Sequence, residues 1–188
     1  DGRPQSDHQT RISVDGRHRA KQVVDVARYM QGKQSQYNKL YALHGRSDNA
    51  QASRTVGKDA LEEAQKAANT TSSRLIPIER YDINIVNGVL NTMAERDIAT
   101  LHLGLHRRKR IIDTFLGSKI EQLLKSTNAM VVISRILVPV NTVSRIVVVV
   151  PAQAQYEGGF RHWVEAVGHL TRVVGCKVVS CRADATSC

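Results

Sequence analysis

The chain has 188 residues, 41% of them hydrophobic, with a mean hydropathy of -0.30, the make-up of a globular protein with room for one domain and part of another. No apolar run approaches the roughly 18 residues that a membrane-spanning helix requires, and nothing at the N-terminus reads as a signal peptide, so the polypeptide itself reads as cytoplasmic. The net charge of +10 and pI near 9.9 admit nucleic acid or an anionic membrane surface as partner, but only 4% of residues are aromatic and no basic run alternates with stacking side chains, which argues against a single-strand nucleic-acid groove.

Residues 1–10 carry no apolar periodicity and read as a tail or linker. From Arg11 the pattern changes: Ile12-Ser13-Val14-Asp15-Gly16 reads as a strand ending in a turn, and Val23, Val24, Ala27 and Met30 mark one face of a helix that stops near Gly32. Leu40 to His44 predicts a second strand closed by Gly45, and residues 58–68 are strong helix formers. A third strand, Arg74 to Arg80, contains Pro77, which cannot donate to a ladder and so places the strand at a sheet edge or a bulge. Ile85, Val86, Val89, Leu90 and Met93 line a third helix, and Ile98 to Leu103 reads as a buried fourth strand.

Gly104 to Glu121 joins that strand to a fourth helix and carries the chain's best candidate chemistry. Phe115, Leu116, Ile120, Leu123 and Leu124 recur at helical spacing, and Ser118 with Glu121 reads as a capping box that starts the helix. Strand, glycine turn and helix N-terminus in that order make an anion site available, because unpaired N–H groups and the positive end of the helix dipole face whatever lies above the turn. Arg107 to Arg110 is the one dense basic cluster, with a solvated loop as its simplest reading. Met130 to Ile136 then reads as a fifth strand.

From Asn141 the chain starts again. Arg145 to Pro151 is an apolar strand, Phe160, Trp163, Val164, Val167, Leu170 and Val174 form a helical stripe, and Cys176 to Cys181 alternates as a strand. This βαβ order repeats that of Arg11 to His44. The expected architecture is therefore α/β: a doubly wound, five-stranded parallel sheet of order 3-2-1-4-5 over 11–138, a linker over 139–144, and over 145–188 the first βαβ unit of a second, truncated domain. With Asp1 in place of a methionine at the start, the sequence reads as a piece of a longer protein.

Each candidate residue has a structural alternative. Asp15 either caps the first helix or contacts a ligand, and Ser118 either caps the fourth or contacts a phosphate. His102 reads as a satisfied core or edge histidine, and His106 as solvent-facing. The three cysteines, Cys176, Cys181 and Cys188, lack zinc spacing and read as free thiols. No nucleophile elbow, Walker lysine or paired metal ligands are present, so no enzyme and no required metal are expected.

The spacing Gly104-x2-Arg107-x9-Gly117-Ser118 resembles the Gly-x2-Gly-x9-Gly-Ser/Thr loop of nucleotide-binding universal stress proteins, with Arg107 standing at the second glycine. The resemblance implies a fold of five parallel strands and ATP or another adenine nucleotide as ligand. It implies as site residues Asp15 and Gly16 after strand one, Gly45 after strand two, and Gly104, Arg107, Gly117 and Ser118. Arg107 either offers its guanidinium to a phosphate or closes the pocket.

Arg80-Tyr81-Asp82-Ile83-Asn84-Ile85, Gly104-Leu105-His106-Arg107, Phe115 to Lys119, Pro139 to Thr142 and Ile146 to Ala152 are also similar to the paired stress-protein-like domains at the cytoplasmic C-terminus of bacterial sodium/proton antiporters of the Bacteroides group. That similarity implies a regulatory domain on the cytoplasmic face of the inner membrane, attached to the antiporter's membrane domain. The rival reading is a structural module without nucleotide that dimerises through Met130 to Ile136. Nucleic-acid binding, resting on charge alone, comes third.

Overall fold

The computed structural model describes residues 9–13, 20–32, 39–47, 51–69, 74–104 and 114–183. Strands and helices alternate along them: β1 (Gln9–Ser13), α1 (Ala20–Gln31), β2 (Leu40–Arg46), α2 (Gln51–Asn69), β3 (Leu75–Tyr81), α3 (Ile85–Glu95), β4 (Ile98–Gly104), α4 (Thr114–Ser126), β5 (Met130–Ser134), β6 (Arg145–Pro151), α5 (Phe160–Val174) and β7 (Lys177–Ala183). The first five strands form one parallel sheet in the order β3-β2-β1-β4-β5, and β6 and β7 form a separate parallel pair.

Two apolar layers sandwich the larger sheet. On one face Val23, Val24 and Ala27 of α1 and Ala60, Ala64 and Ala68 of α2 pack on Leu40, Ala42 and Leu75. On the other, Val86, Val89 and Met93 of α3 and Leu123 of α4 pack on Tyr41, Leu43 and Leu101. Leu40, Leu43 and Leu101 are fully buried, and each contributes about 2–3 kcal/mol of burial. The stripes read for α1 and α3 are thus faces of the core, whereas Leu124 and Val164, read on the stripes of α4 and α5, are half exposed. Pro77 sits in β3, an outer strand, opposite Ala42, where one side of the backbone has no ladder to complete.

The β3–α3 connection is fastened by the polar residues of the Arg80 to Ile85 stretch. Asn84 is the N-cap of α3, its side chain accepting from the Val86 N–H at 3.0 Å, while Asp82 Oδ1 accepts from the Asn84 N–H at 3.0 Å. Arg80 Nη1 reaches both oxygens of Glu95 at 2.9 Å and Thr92 Oγ1 at 3.3 Å, tying the strand to the far end of the helix.

Several boundaries differ from the sequence expectation. β1 begins at Gln9, inside the stretch read as a tail, because pairing with Ile98 extends it. Gly45 does not close β2; the ladder continues through Gly45↔Arg80 and Arg46↔Tyr81. Helix α4 begins at Thr114, so Ser118 lies a turn inside it and is not its N-cap, and Glu121 instead accepts from Lys125 Nζ at 2.7 Å. β5 ends at Ser134, two residues short of Ile136.

The second unit is built differently from its surroundings. α5 crosses between β6 and β7 and packs on α1, where Gly32, at φ 68°, ends the helix under the ring of His169. A Cβ on Gly32 would lie 2.6 Å from that ring, so the left-handed cap and the close approach both call for glycine. Val147 and Val149 in β6 are 57% and 62% exposed, opposite Val179 and Cys181 of β7. A two-stranded sheet is marginal by itself, so the α1–α5 contact is what attaches this unit to the first domain.

Candidate functional site

In a sheet of this order the crevice for a ligand opens between β1 and β4, whose following helices pack on opposite faces. Register brings Ser13, the last residue of β1, beside Leu43 on one side and Leu103 on the other. Gly45 and Gly104, the glycines at the ends of β2 and β4, therefore flank the mouth of β1 from its two sides. Gly104 pairs with Ser134, whose hydroxyl donates to the Leu103 carbonyl at 3.3 Å and pins β5 to β4 at the rim.

The two glycines have different local roles. A Cβ on Gly104 would lie 2.8 Å from Val23 Cγ2, so glycine lets the end of β4 approach α1. A Cβ on Gly45 would meet Ile85 at an ordinary 3.6 Å. The neighbouring His44 is buried against α2, where a Cβ on Gly57 would sit 2.2 Å from its ring. Gly117 and Ser118 fall within the first two turns of α4, and in a helix starting at Thr114 the free N–H groups belong mainly to residues before Gly117. Asp15, Gly16, His106 and Arg107 lie outside the described residues.

A second concave feature lies at the opposite end of the sheet, where strands begin and helices end. It is a cavity of about 1150 Å³ bounded by the C-terminal ends of α1 and α3, the first residues of β4 and β5, and α5. His102, 1% exposed in the middle of β4, forms part of its wall. Its Nδ1 has no hydrogen-bond partner among the described residues, and burial lowers its pKa from 6.5 to about 4. His102 is a core histidine, as the sequence reading has it, but its Nδ1 lacks the partner that reading expected. The apolar run of β4 signals its burial; that the layer beside it offers no polar partner depends on α1 and α5, which are far away in sequence.

Among the described residues no three His, Cys, Asp or Glu side chains are grouped to hold a metal ion, and no helix is long and apolar enough to cross a membrane. Cys176 and Cys181 are free thiols.

No protein-family model and no curated sequence matches the chain. Solved structures do. The universal stress protein from Archaeoglobus fulgidus superposes with a TM-score of 0.56 at 14% identity, covering 67% of this chain and 97% of that one. The structure of that protein in complex with dAMP gives a TM-score of 0.53 at 14% identity, covering 67% and 96%. A universal stress protein in complex with cAMP gives 0.51 at 20% identity, covering 69% and 99%. The chain thus has the α/β fold of the universal stress proteins, and a whole protein of that kind corresponds to about two thirds of it.

Proposed function

We propose that the first domain is a ligand-sensing module whose crevice, at the C-terminal ends of β1 and β4, takes an adenine nucleotide. The observation that carries this reading is the meeting of Ser13, Leu103 and Gly104 at the point where the strand order reverses. Universal stress proteins of the same fold are solved with dAMP and cAMP, which favours an adenine nucleotide over other anions. In this reading Asp15, with Gly16 after it in the turn, contacts the base or ribose, Gly45 borders the adenine, Gly104 opens the turn, Gly117 and Ser118 in the first turns of α4 lie on the phosphate side, and Arg107 either contacts a phosphate or closes the pocket.

The finer proposal is regulatory. The chain is the cytoplasmic domain of a sodium/proton antiporter at the inner membrane, with 145–188 as the start of a second copy of the domain. Nucleotide binding favours one arrangement of the paired domains and so biases transport; the chain itself catalyses nothing. Calorimetric titration with ATP, AMP and cAMP tests the ligand half, and repeating it with Arg107→Gly separates a phosphate contact, which the substitution weakens, from a plug, which it relieves. Heat from neither protein at millimolar nucleotide refutes it.

One observation favours the rival dimerisation module. β5 is an outer strand, and Ile133 on it is partly exposed, so a second copy has a free edge to extend. Sedimentation of the chain with and without Ile133→Lys distinguishes this reading, which requires a dimer in the parent and a monomer in the variant.

A further inference from the structure

The cavity at the opposite end from the nucleotide crevice is large enough for a ligand of its own. Its volume, about 1150 Å³, lies just above the range of small-molecule sites, which run to roughly 1000 Å³. Met30, Met93, Ile98, Ala166 and Trp163 make much of its wall apolar. Methionine sulfur and an indole face suit a ring better than a flexible chain, since both gain from aromatic contact. Trp163 is already held edge-on by Phe160, with ring centroids 5.1 Å apart, so its orientation is set.

Two buried polar atoms on the residues that line the cavity have no partner among the described residues, Nδ1 of His102 in β4 and Nε2 of Gln31 at the end of α1. A buried nitrogen that has given up water and received nothing is destabilising, and a ligand group that bonds to it recovers the loss. With its pKa near 4 the ring is neutral at physiological pH, and a neutral imidazole offers one donor and one acceptor. Such a ring matches a hydroxyl or a carbonyl, whereas a carboxylate would favour an imidazolium.

We propose that this cavity binds a neutral ring-bearing molecule with a hydroxyl or carbonyl group, the polar group bonding to His102 and the ring lying against Trp163, Met30 and Met93. Because α1, β4 and α5 all contribute walls, the occupant bridges the first domain and the second unit and holds α5 on α1. The site shares no residue with the nucleotide crevice and does not depend on it.

Trp163 is the chain's sole tryptophan, so its indole N–H gives one identifiable signal in a nitrogen-correlated proton spectrum. Titration of the whole chain with 2-naphthol is expected to shift that signal saturably, with affinity at least 5-fold tighter than for naphthalene, which has the same rings and no hydroxyl. His102→Leu should abolish the preference, and His102→Gln, which keeps a donor and an acceptor, should retain part of it. Equal affinities for the two probes in the parent chain, or no saturable shift with either, would overturn the proposal; this comparison needs no variant to fold. A hydroxyl preference that persists undiminished in His102→Leu would also overturn it.

Discussion

Leu101 of β4 and Val149 of β6 both come from apolar parallel strands, yet Leu101 is fully buried while Val149 is 62% exposed. The difference lies in the layers around them. Leu101 has α3 and α4 above it and neighbouring strands on both sides. Val149 has a single partner strand, and its one helix, α5, is engaged with α1. An apolar strand therefore specifies a face, and burial follows only where the sheet and both helical layers are present.

Substitutions break this comparison at graded depths. Leu101→Ala should cost about 2–5 kcal/mol, from lost transfer free energy and the cavity left behind, read as the change in urea midpoint. Acid comes next, through His102. In the unfolded chain its imidazole takes a proton near 6.5 and in the folded chain only near 4, so as pH falls the unfolded state binds the proton first. Its contribution is intact above about 6.5 and is lost progressively down to about 4, a loss on the order of 3 kcal/mol. His102→Leu should flatten that part of the stability profile; an unchanged acid limb would show that the ring is hydrated in the folded state.

The sharpest contrast uses one chemical change twice. Val24, with 0% exposure, becomes Val24→Thr at a cost of about 1–3 kcal/mol for a hydroxyl buried among α1, α2 and the sheet. Val149→Thr should fall within about 0.5 kcal/mol of the parent. Equal costs in thermal melts would mean that something covers the β6–β7 face in solution. The smallest expected effect is that of Gly32→Ala, about 1 kcal/mol for the left-handed cap, together with faster hydrogen exchange in α5 as His169 is displaced.

Much of this architecture is legible in the sequence because it depends on local periodicity. The Val23, Val24, Ala27 stripe, the ends of β6 and α5, and Pro77 in an outer strand follow from spacing and backbone chemistry alone. The start of α4 does not. Gly117 and Ser118 imitate a helix boundary, but one glycine inside a helix costs only about 1 kcal/mol, which packing of Leu123 against the sheet outweighs.

The site divides in the same way. Gly45 and Gly104 are recognisable as glycines near strand ends, but the reason for Gly104, the methyl of Val23, belongs to another helix. The missing partner of His102 is a property of three elements at once, and no window of sequence contains it.

The central claim, an adenine nucleotide at the β1–β4 crevice, is tested most directly by mapping backbone amide shifts as AMP is added. The account predicts saturable changes concentrated at Ser13, Gly45, Leu103, Gly104 and Ser134, with the Trp163 indole signal at the other end of the sheet unmoved. No change at millimolar AMP, or changes confined to the Trp163 end, would contradict it.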